Sequence, residues 1–164
     1  LRQMEVFRSL EDADIQHLAT ELRYAPFAAG EVMTRQGAEG HWLYLMAEGT
    51  ASVRVTVDGG LEREVARLGP GHFFGEMSLM TGRPREATVV AVTDVECFRL
   101  GAASFRRVIH AHPEKAEDFA EVLAARQASL EAARKGLSEE AQKRHAAVQK
   151  AALTDTIKQF FGLD

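Results

Sequence analysis

A glutamate and an arginine flank a short apolar run in the stretch FFGEMSLMTGRPREATV, residues 73–89. Arg85 can donate two parallel hydrogen bonds to a phosphate. An ionised Glu76 can only accept, which suits a hydroxyl donor such as that of a sugar. Gly75 permits a tight turn that leaves backbone N–H groups bare where a helical segment begins, and such groups attract anions. These residue types indicate a clamp for a sugar phosphate, although glycine-rich loops with an acid and an arginine are common.

The elements that would position this stretch are short β-strands. From Tyr24 to Leu100 the sequence breaks into β-type runs separated by glycine, at residues 31–37, 41–49, 50–60, 61–71, 87–92 and 95–100. In residues 51–57 valines alternate with polar side chains, and Asp58-Gly59-Gly60 is typical of a hairpin turn. Many short strands with regular turn signals predict a sandwich, a jelly roll or a barrel.

Helical patterns flank these strands on both sides. Residues 9–23 predict a helix with Ser9 as its N-cap. Residues 102–112 predict a short helix, and a long one is expected from Pro113, in its first turn, to a stop at Gly136. The last segment predicts further helices, with Ser138 capping one and Thr154 capping another. It also predicts a small apolar face, made of Leu153, Ile157, Phe160 and Phe161.

Composition limits the functions open to the chain. Twenty Lys and Arg stand against 24 Asp and Glu, a net charge of -4, which argues against a general nucleic-acid binder. The single Cys97 excludes an internal disulfide framework and a cysteine-based zinc cluster. We find no apolar run long enough to span a membrane and no signal peptide. The chain begins with Leu rather than Met, which suggests a piece of a longer protein or a processed chain.

Three parts of the sequence resemble one family. GEMSLMTGRPREATV, residues 75–89, resembles the phosphate-binding cassette of cyclic-nucleotide-binding domains; we call these residues the cassette. QGAEGHWLYLMAEGTASV is similar to the family's first hairpin, with Gly37 and Gly49 at the expected places, and LGPGHFFGE to the lead-in of the cassette. The resemblance covers roughly residues 5 to 130. It implies an α+β, mainly β fold: a jelly-roll-like β-roll flanked by an N-terminal helix and a C-terminal lid helix. Residues 1–135 would form this domain and 136–164 a helical tail.

The resemblance also implies a role for each cassette residue. Arg85 would pair with the exocyclic oxygens of the cyclic phosphate of cAMP or cGMP, and Glu76 would hold the ribose 2′-hydroxyl. The other members would line the pocket, namely Gly75, Met77, Ser78, Glu86, Ala87 and Thr88. The long helix after Pro113 would act as a lid that responds to ligand. No other cofactor or metal is implied.

Glu86 departs from the family pattern, which usually has Ala, Ser or Thr after the arginine. A carboxylate close to a cyclic phosphate lowers affinity by like-charge repulsion. Three interpretations stay open. We favour an outward-turned Glu86, paired with Arg83 or Arg106, whose backbone N–H alone faces the phosphate. The carboxylate could instead accept from the edge of a syn guanine and favour cGMP, or the site could have lost its nucleotide.

The remaining candidate residues predict no catalysis. His110 and His112 are two apart on a helix, which points them to different sides and disfavours a metal pair. His41 and Trp42 are predicted at the surface and in the core respectively, and His72 is expected to serve a turn. Cys97 is expected to be a buried, inert thiol. A cupin-type metalloenzyme would need clustered His and Glu ligands on the strands, and these are absent from the sequence.

The parent protein is predicted from the C-terminal tail. Residues 136–164 lack a recognisable DNA-recognition helix, and only one cyclic-nucleotide domain is present, where kinase regulatory subunits usually have two. TDTIKQFFGLD is similar to the endings of bacterial small-conductance-type mechanosensitive channels with an appended cyclic-nucleotide domain. The resemblance implies a sensor on the cytoplasmic side of an inner-membrane channel, with the pore domain as its partner. The alternative is an interaction or dimerisation module whose nucleotide site is altered by Glu86, since the C-terminal helices offer a surface for self-association.

Overall fold

The computed structural model describes residue 1 and residues 4–56, 60–135 and 139–163. Within these ranges, eight strands form two four-stranded antiparallel sheets. The first has the order β1-β8-β3-β6, with β1 at Arg23–Tyr24, β3 at Trp42–Glu48, β6 at Phe73–Phe74 and β8 at Glu96–Gly101. The second has the order β2-β7-β4-β5, with β2 at Val32–Thr34, β4 at Ala51–Thr56, β5 at Glu62–Leu68 and β7 at Thr88–Ala91. The predicted mainly β fold with flanking helices is confirmed.

Each of the six predicted runs contains a strand. The two-residue strands β1 and β6 were not predicted, because two residues are too few to show an alternating pattern. In β4 the pairing register shifts between Val53 and Arg54, so the predicted alternation is interrupted: Ser52 is fully buried and Val53 only partly. In the predicted turn at Asp58-Gly59-Gly60, the first two residues lie outside the described ones, and Gly60 has a φ of 77°.

The buried core of the roll draws on both sheets. Tyr44 packs on Phe74 with ring centroids 4.9 Å apart and on Phe27 edge-on at 6.0 Å. The other members of this cluster are aliphatic or sulfur-containing residues, namely Met33, Met46, Ala51, Leu68, Val89, Ala91, Val95 and Cys97. This packing fixes the strands from which the cassette and its neighbours project.

The helices take the following bounds among the described residues. A 3-10 turn at Glu5–Phe7 precedes α1 at Asp12–Glu21, and α2 lies at Glu76–Thr81. The C-terminal helices are α3 at Ala102–Ala111, α4 at Lys115–Lys135 and α5 at Glu139–Phe160. The chain forms two compact units, one of residues 16–102 and one of residues 1–15 with 103–164. None of the described helices is both long enough and apolar enough to cross a membrane.

Two predicted helix caps are wrong. Ser9 is not an N-cap, because the chain is still turning there: the Leu10 N–H donates to the Phe7 carbonyl, and α1 begins only at Asp12. Thr154 caps nothing, because α5 runs through it and its hydroxyl donates to the Lys150 carbonyl one turn earlier.

Other predicted boundaries of the C-terminal segment have mixed outcomes. Pro113 lies two residues before α4 rather than in it, with its carbonyl accepting from the Ala116 N–H at 3.2 Å. Gly136 and Ser138, and with them the predicted domain boundary after residue 135, lie outside the described residues.

Candidate functional site

The cassette begins with a turn that requires glycine. Gly75 precedes α2 with a φ of 89°, in the left-handed region that side chains rarely adopt. A Cβ atom added to Gly75 would lie 2.5 Å from the Trp42 carbonyl oxygen and would also clash with the Arg85 guanidinium. Gly82 ends the helix with a φ of 73° and donates its N–H to the Ser78 carbonyl. The short helix is therefore fixed by glycine at both ends.

Arg85 is anchored by its side chain and by its backbone. Its guanidinium donates from Nη1 to the Gly75 carbonyl and from Nη2 to the Trp42 carbonyl, each at 2.8 Å. Its backbone N–H donates to the Ala38 carbonyl at 2.8 Å, and its carbonyl accepts from the Gly37 N–H at 2.7 Å. Only 7% of the residue is exposed. Arg85 is therefore a buried cation in a fixed orientation, with two of its five N–H donors used on carbonyls.

Two neighbouring groups favour the protonated form of Arg85, whereas burial disfavours it. Burial lowers the pKa of the Arg85 guanidinium, while the Tyr44 hydroxyl and the Glu76 carboxyl act in the opposite direction. Arginine nevertheless stays protonated at neutral pH. Glu76, the first residue of α2, is itself 8% exposed. Glu76 and Arg85 are thus both buried at the cassette, close enough for the carboxyl to influence the guanidinium.

Gly40 contributes to the site, and sequence reasoning missed it. A Cβ atom there would lie 2.5 Å from Cζ of Arg85 and 2.6 Å from Cβ of Ser78. The φ of Gly40 lies outside the left-handed region, so close packing rather than backbone geometry explains the glycine. One signal was available in the sequence: Gly40 is a second glycine close after Gly37, in a loop where one turn glycine would suffice.

The structure brings some of the predicted site residues together and leaves others apart. Gly75 and Arg85 are in direct contact, and Glu76, Met77 and Ser78 are buried in α2 beside them. Glu86 and Ala87 are partly buried in the link to β7. Thr88 begins β7, and its hydroxyl accepts from the Gln36 N–H at 3.0 Å, so it supports the neighbouring loop.

Three of the histidines, His72, His110 and His112, contact polar groups of the described residues. Nδ1 of His72 accepts from the Gly69 N–H at 2.8 Å, as expected for a turn residue. Nε2 of His110 lies 2.6 Å from the Phe161 carbonyl oxygen, and His112 lies 3.6 Å from carboxylate oxygens of both Asp14 and Glu114. In the part of the chain that the structure describes, no group of three or more His, Cys, Asp or Glu could hold a metal ion.

Of three other residues, Cys97 and His41 have the predicted surroundings and Trp42 has them only in part. The Cys97 thiol is fully buried and donates to the Ala25 carbonyl, and burial raises its pKa to about 11. Trp42 is only partly buried, with the Arg99 guanidinium 4.2 Å above its ring, whereas the His41 side chain is 72% exposed.

Comparison with known proteins identifies the family. The model of the cyclic nucleotide-binding domain matches residues 25–112. A cyclic nucleotide-gated potassium channel of Mesorhizobium japonicum is 37% identical over 114 residues, which are 70% of this chain and 30% of the channel. A cAMP-dependent protein kinase regulatory subunit of Blastocladiella emersonii is 33% identical over 110 residues, 67% of this chain and 27% of that protein. The chain therefore spans less than a third of the length of either relative.

A solved structure has the same fold. The regulatory domain of Toxoplasma gondii PKA, crystallised with cAMP, superposes with a TM-score of 0.69 at 26% identity, covering 92% of this chain and 55% of that one. The matched residues 25–112 include the whole cassette and both anchors of Arg85. The chain belongs to the cyclic nucleotide-binding domain family.

Proposed function

We propose that the chain is a cyclic-nucleotide sensor and that its cassette holds the cyclic phosphate. The observation that carries the proposal is the buried guanidinium of Arg85, held by the Gly75 and Trp42 carbonyls. A buried cation with donors to spare is stabilised by an oxyanion, and charge-assisted bonds of this kind are strong. Arg85 would therefore donate its remaining N–H groups to the exocyclic phosphate oxygens.

Glu76 is proposed to accept the ribose 2′-hydroxyl. Its burial beside Arg85 supports this role, because the carboxylate keeps an oppositely charged neighbour in the absence of ligand. Gly75, Met77, Ser78, Ala87 and Thr88 are proposed to line the pocket. Thr88 would do so through its backbone or methyl group, since its hydroxyl is bonded to the Gln36 N–H.

The proposed ligand is cAMP or cGMP, and a substitution of Glu86 tests whether this residue discriminates between them. We expect its carboxylate to face away from the phosphate, so that Glu86→Ala leaves the ratio of the cAMP and cGMP dissociation constants unchanged. A selective loss of cGMP affinity in this variant would mean that Glu86 reads the guanine edge. A gain for both nucleotides would mean that its charge obstructs the site.

The whole protein is proposed to be a membrane channel with this chain as its cytoplasmic regulatory domain. Support comes from two bacterial cyclic nucleotide-gated potassium channels among its relatives, of which this chain spans about 30%. The pore domain would be the partner, and α4 the lid that transmits binding. The division into a domain of residues 1–135 and a tail of residues 136–164, self-association through the tail and a mechanosensitive pore are further parts of this proposal.

The first test is calorimetric titration of the purified chain with cAMP and with cGMP. We expect saturable binding, and a loss of at least about 1.5–3 kcal/mol for Arg85→Ala because charged hydrogen bonds are removed. Arg23→Ala, which removes an exposed arginine on β1, is the matched control and should bind as the native chain does. Absence of binding by the native chain at millimolar nucleotide would refute the sensor and leave an interaction module with this fold.

A further inference from the structure

The Trp42 carbonyl that holds Arg85 lies where two strands end. Trp42 is the first residue of β3, and its partner across the ladder is Gly101, the last residue of β8. On the other side of β3, β6 pairs with Tyr44 and Leu45, so the Arg85 guanidinium reaches the Trp42 carbonyl beyond the end of that ladder. Strand ends open readily, and a glycine partner has no side chain to pack. The position of this carbonyl therefore depends on what holds the Trp42 side chain.

The Trp42 ring packs against Gly101 and lies beneath Arg99. A Cβ atom added to Gly101 would be 3.3 Å from Cζ3 of the ring. The Arg99 guanidinium carbon is 4.2 Å from the ring centroid, within the range of a cation–π interaction. The strand register explains both contacts, because Gly101 is directly opposite Trp42 and Arg99 is its diagonal neighbour on the same face of the sheet. An aromatic ring that covers a glycine on a neighbouring strand stabilises the pairing at that point.

Trp42 has room to move if this hold is lost. Its side chain is only partly buried, and it lines a cavity of about 680 Å³ beside β2 and β3. A displacement of the residue that carries its carbonyl away from Nη2 would leave a charged donor of Arg85 without its acceptor. A ligand that needs Arg85 in its fixed orientation would have to restore that contact, and its apparent dissociation constant would rise by the fraction of chains displaced.

Arg99 also lies close enough to Arg85 for its charge to matter directly. Burial raises the pKa of the Tyr44 hydroxyl, whereas the charges of Arg85 and Arg99 both lower it. Tyr44 is the partner of Arg99 across the ladder of β3 and β8. Both guanidinium groups therefore act on one hydroxyl. A direct electrostatic effect of Arg99 on a bound anion is thus the alternative to an effect through the Trp42 ring.

We propose that Arg99 is a positioning residue for Arg85 and that it acts through the ring and the carbonyl of Trp42. The inference rests on the proposed function, because it concerns the affinity of the cassette for a cyclic phosphate. Arg99 keeps the ring over Gly101, the ring fixes the start of β3, and the carbonyl at that point fixes Nη2 of Arg85. The nucleotide then meets an arginine that is already in place, which lowers the ordering cost of binding.

Calorimetric titration of three variants with cAMP tests this role. Arg99→Met keeps an unbranched side chain over the ring but removes the charge. It should raise the dissociation constant about two- to fivefold, the size of a cation–π contact at a partly exposed site. Arg99→Lys keeps a cation over the ring and should bind within about twofold of the native chain. Arg23→Met removes an exposed charge directly opposite Arg99 on β1 and should bind as the native chain does.

A double-mutant cycle separates the two routes by which Arg99 would act. In a Trp42→Leu background the ring is absent, so Arg99→Met should cause no further loss of affinity. A loss that persists in this background, or an equal loss for Arg23→Met, shows a direct effect of the charge and overturns the proposal. An unchanged dissociation constant for Arg99→Met in the native background overturns it as well.

Trp42 reports on its own position without any nucleotide, since it is the only tryptophan in the sequence. Incorporation of 5-fluorotryptophan gives a single fluorine resonance, which NMR of the nucleotide-free chain records. We expect this resonance to broaden or split in Arg99→Met and to return to its native form in Arg99→Lys. An unchanged resonance in Arg99→Met would show that Arg99 does not hold the ring, and would overturn the proposal.

The same titrations distinguish the failure of this inference from the failure of the proposed function. If the native chain binds neither cAMP nor cGMP, the proposed function is wrong and the role of Arg99 fails with it. If the native chain binds cAMP and Arg99→Met binds it equally well, only the role of Arg99 is wrong. Urea unfolding of each variant verifies that the fold is retained, as expected for a partly exposed position on β8.

Discussion

Arg85 and Gly40 depend on each other at the scale of single residues. The guanidinium occupies the space where a side chain at position 40 would begin, and it can do so only because Gly40 has none. The two residues are 45 positions apart, so the sequence pattern around Arg85 contains no hint of this contact. The orientation of the arginine is therefore set by a loop outside the cassette.

Gly40→Ala tests this dependence. We expect it to lower the free energy of unfolding by about 1–3 kcal/mol, as overpacking does in a crowded site. Gly69→Ala is the matched control, because the atom nearest to its added Cβ would be a carbonyl oxygen 4.0 Å away and its φ is not left-handed. Urea unfolding of both variants is the measurement. Equal stabilities would show that Arg85 can move aside freely.

The reactivity of the Cys97 thiol reports whether this residue is buried in the core of the roll. Burial raises its pKa from 9.0 to about 11, so little thiolate exists at pH 8 in the folded chain. We expect slow reaction with a disulfide reagent at pH 8 and fast reaction in concentrated urea. Between pH 9 and 11 the unfolded chain loses the thiol proton first, so stability should fall as pH rises through this window. Cys97→Ala should remove that part of the pH dependence; an unchanged slope would contradict the assignment.

At the scale of elements, α2 owes its position to glycine and to its neighbours rather than to helix propensity. Six residues are too few for a stable isolated helix. Every residue of α2 is buried, so packing supplies the stability that local sequence does not. The sequence located this helix through Gly75 and Gly82, which end it.

Gly75→Ala separates backbone strain from crowding. The left-handed conformation should destabilise the variant by about 1–2 kcal/mol. Gly30→Ala is matched to it, since Gly30 has a φ of 88° but open space around its Cβ position. We expect Gly75→Ala to lose more stability than Gly30→Ala, because its Cβ would also meet the Trp42 carbonyl oxygen. Thermal unfolding of the pair measures the difference, and equal losses would argue against close packing at the turn.

Thr154 provides a test of the continuity of α5. As an N-cap it would contribute about 1 kcal/mol, which Thr154→Ala would remove. In the middle of a helix the same change should be neutral or slightly stabilising, because alanine has the higher helix propensity. Leu153→Ala, at a buried neighbour, should lower stability by about 2–5 kcal/mol and shows that the assay is sensitive. If Thr154→Ala lowered the free energy of unfolding by about 1 kcal/mol, the result would instead support an N-cap at Thr154 and a break in the helix before it.

At the scale of the whole molecule, ligand binding should raise the free energy of unfolding. At a nucleotide concentration of about 100 times the dissociation constant, binding to the folded chain adds about 2.7 kcal/mol. For a chain of this length that corresponds to a rise in Tm of roughly 5–10 °C. Differential scanning calorimetry with and without cAMP measures the shift. Arg85→Ala should reduce it strongly, and a shift of the same size in that variant would mean that the nucleotide binds elsewhere.

The sequence by itself determined the mainly β fold, most strand positions and the short helix between Gly75 and Gly82. These features depend on alternation, glycine turns and spacing along the chain, which are local properties. The continuity of α5 was missed, because a threonine has the same side chain at a cap and in a helix interior.

Only the tertiary structure decided what holds Arg85 and what surrounds it. The Trp42 carbonyl, the space at Gly40 and the cavity beside β2 and β3 arise where segments distant in sequence meet. Backbone carbonyls are present at every residue, and a cavity is bounded by residues that are distant in sequence. Neither feature therefore produces a recognisable pattern in the sequence.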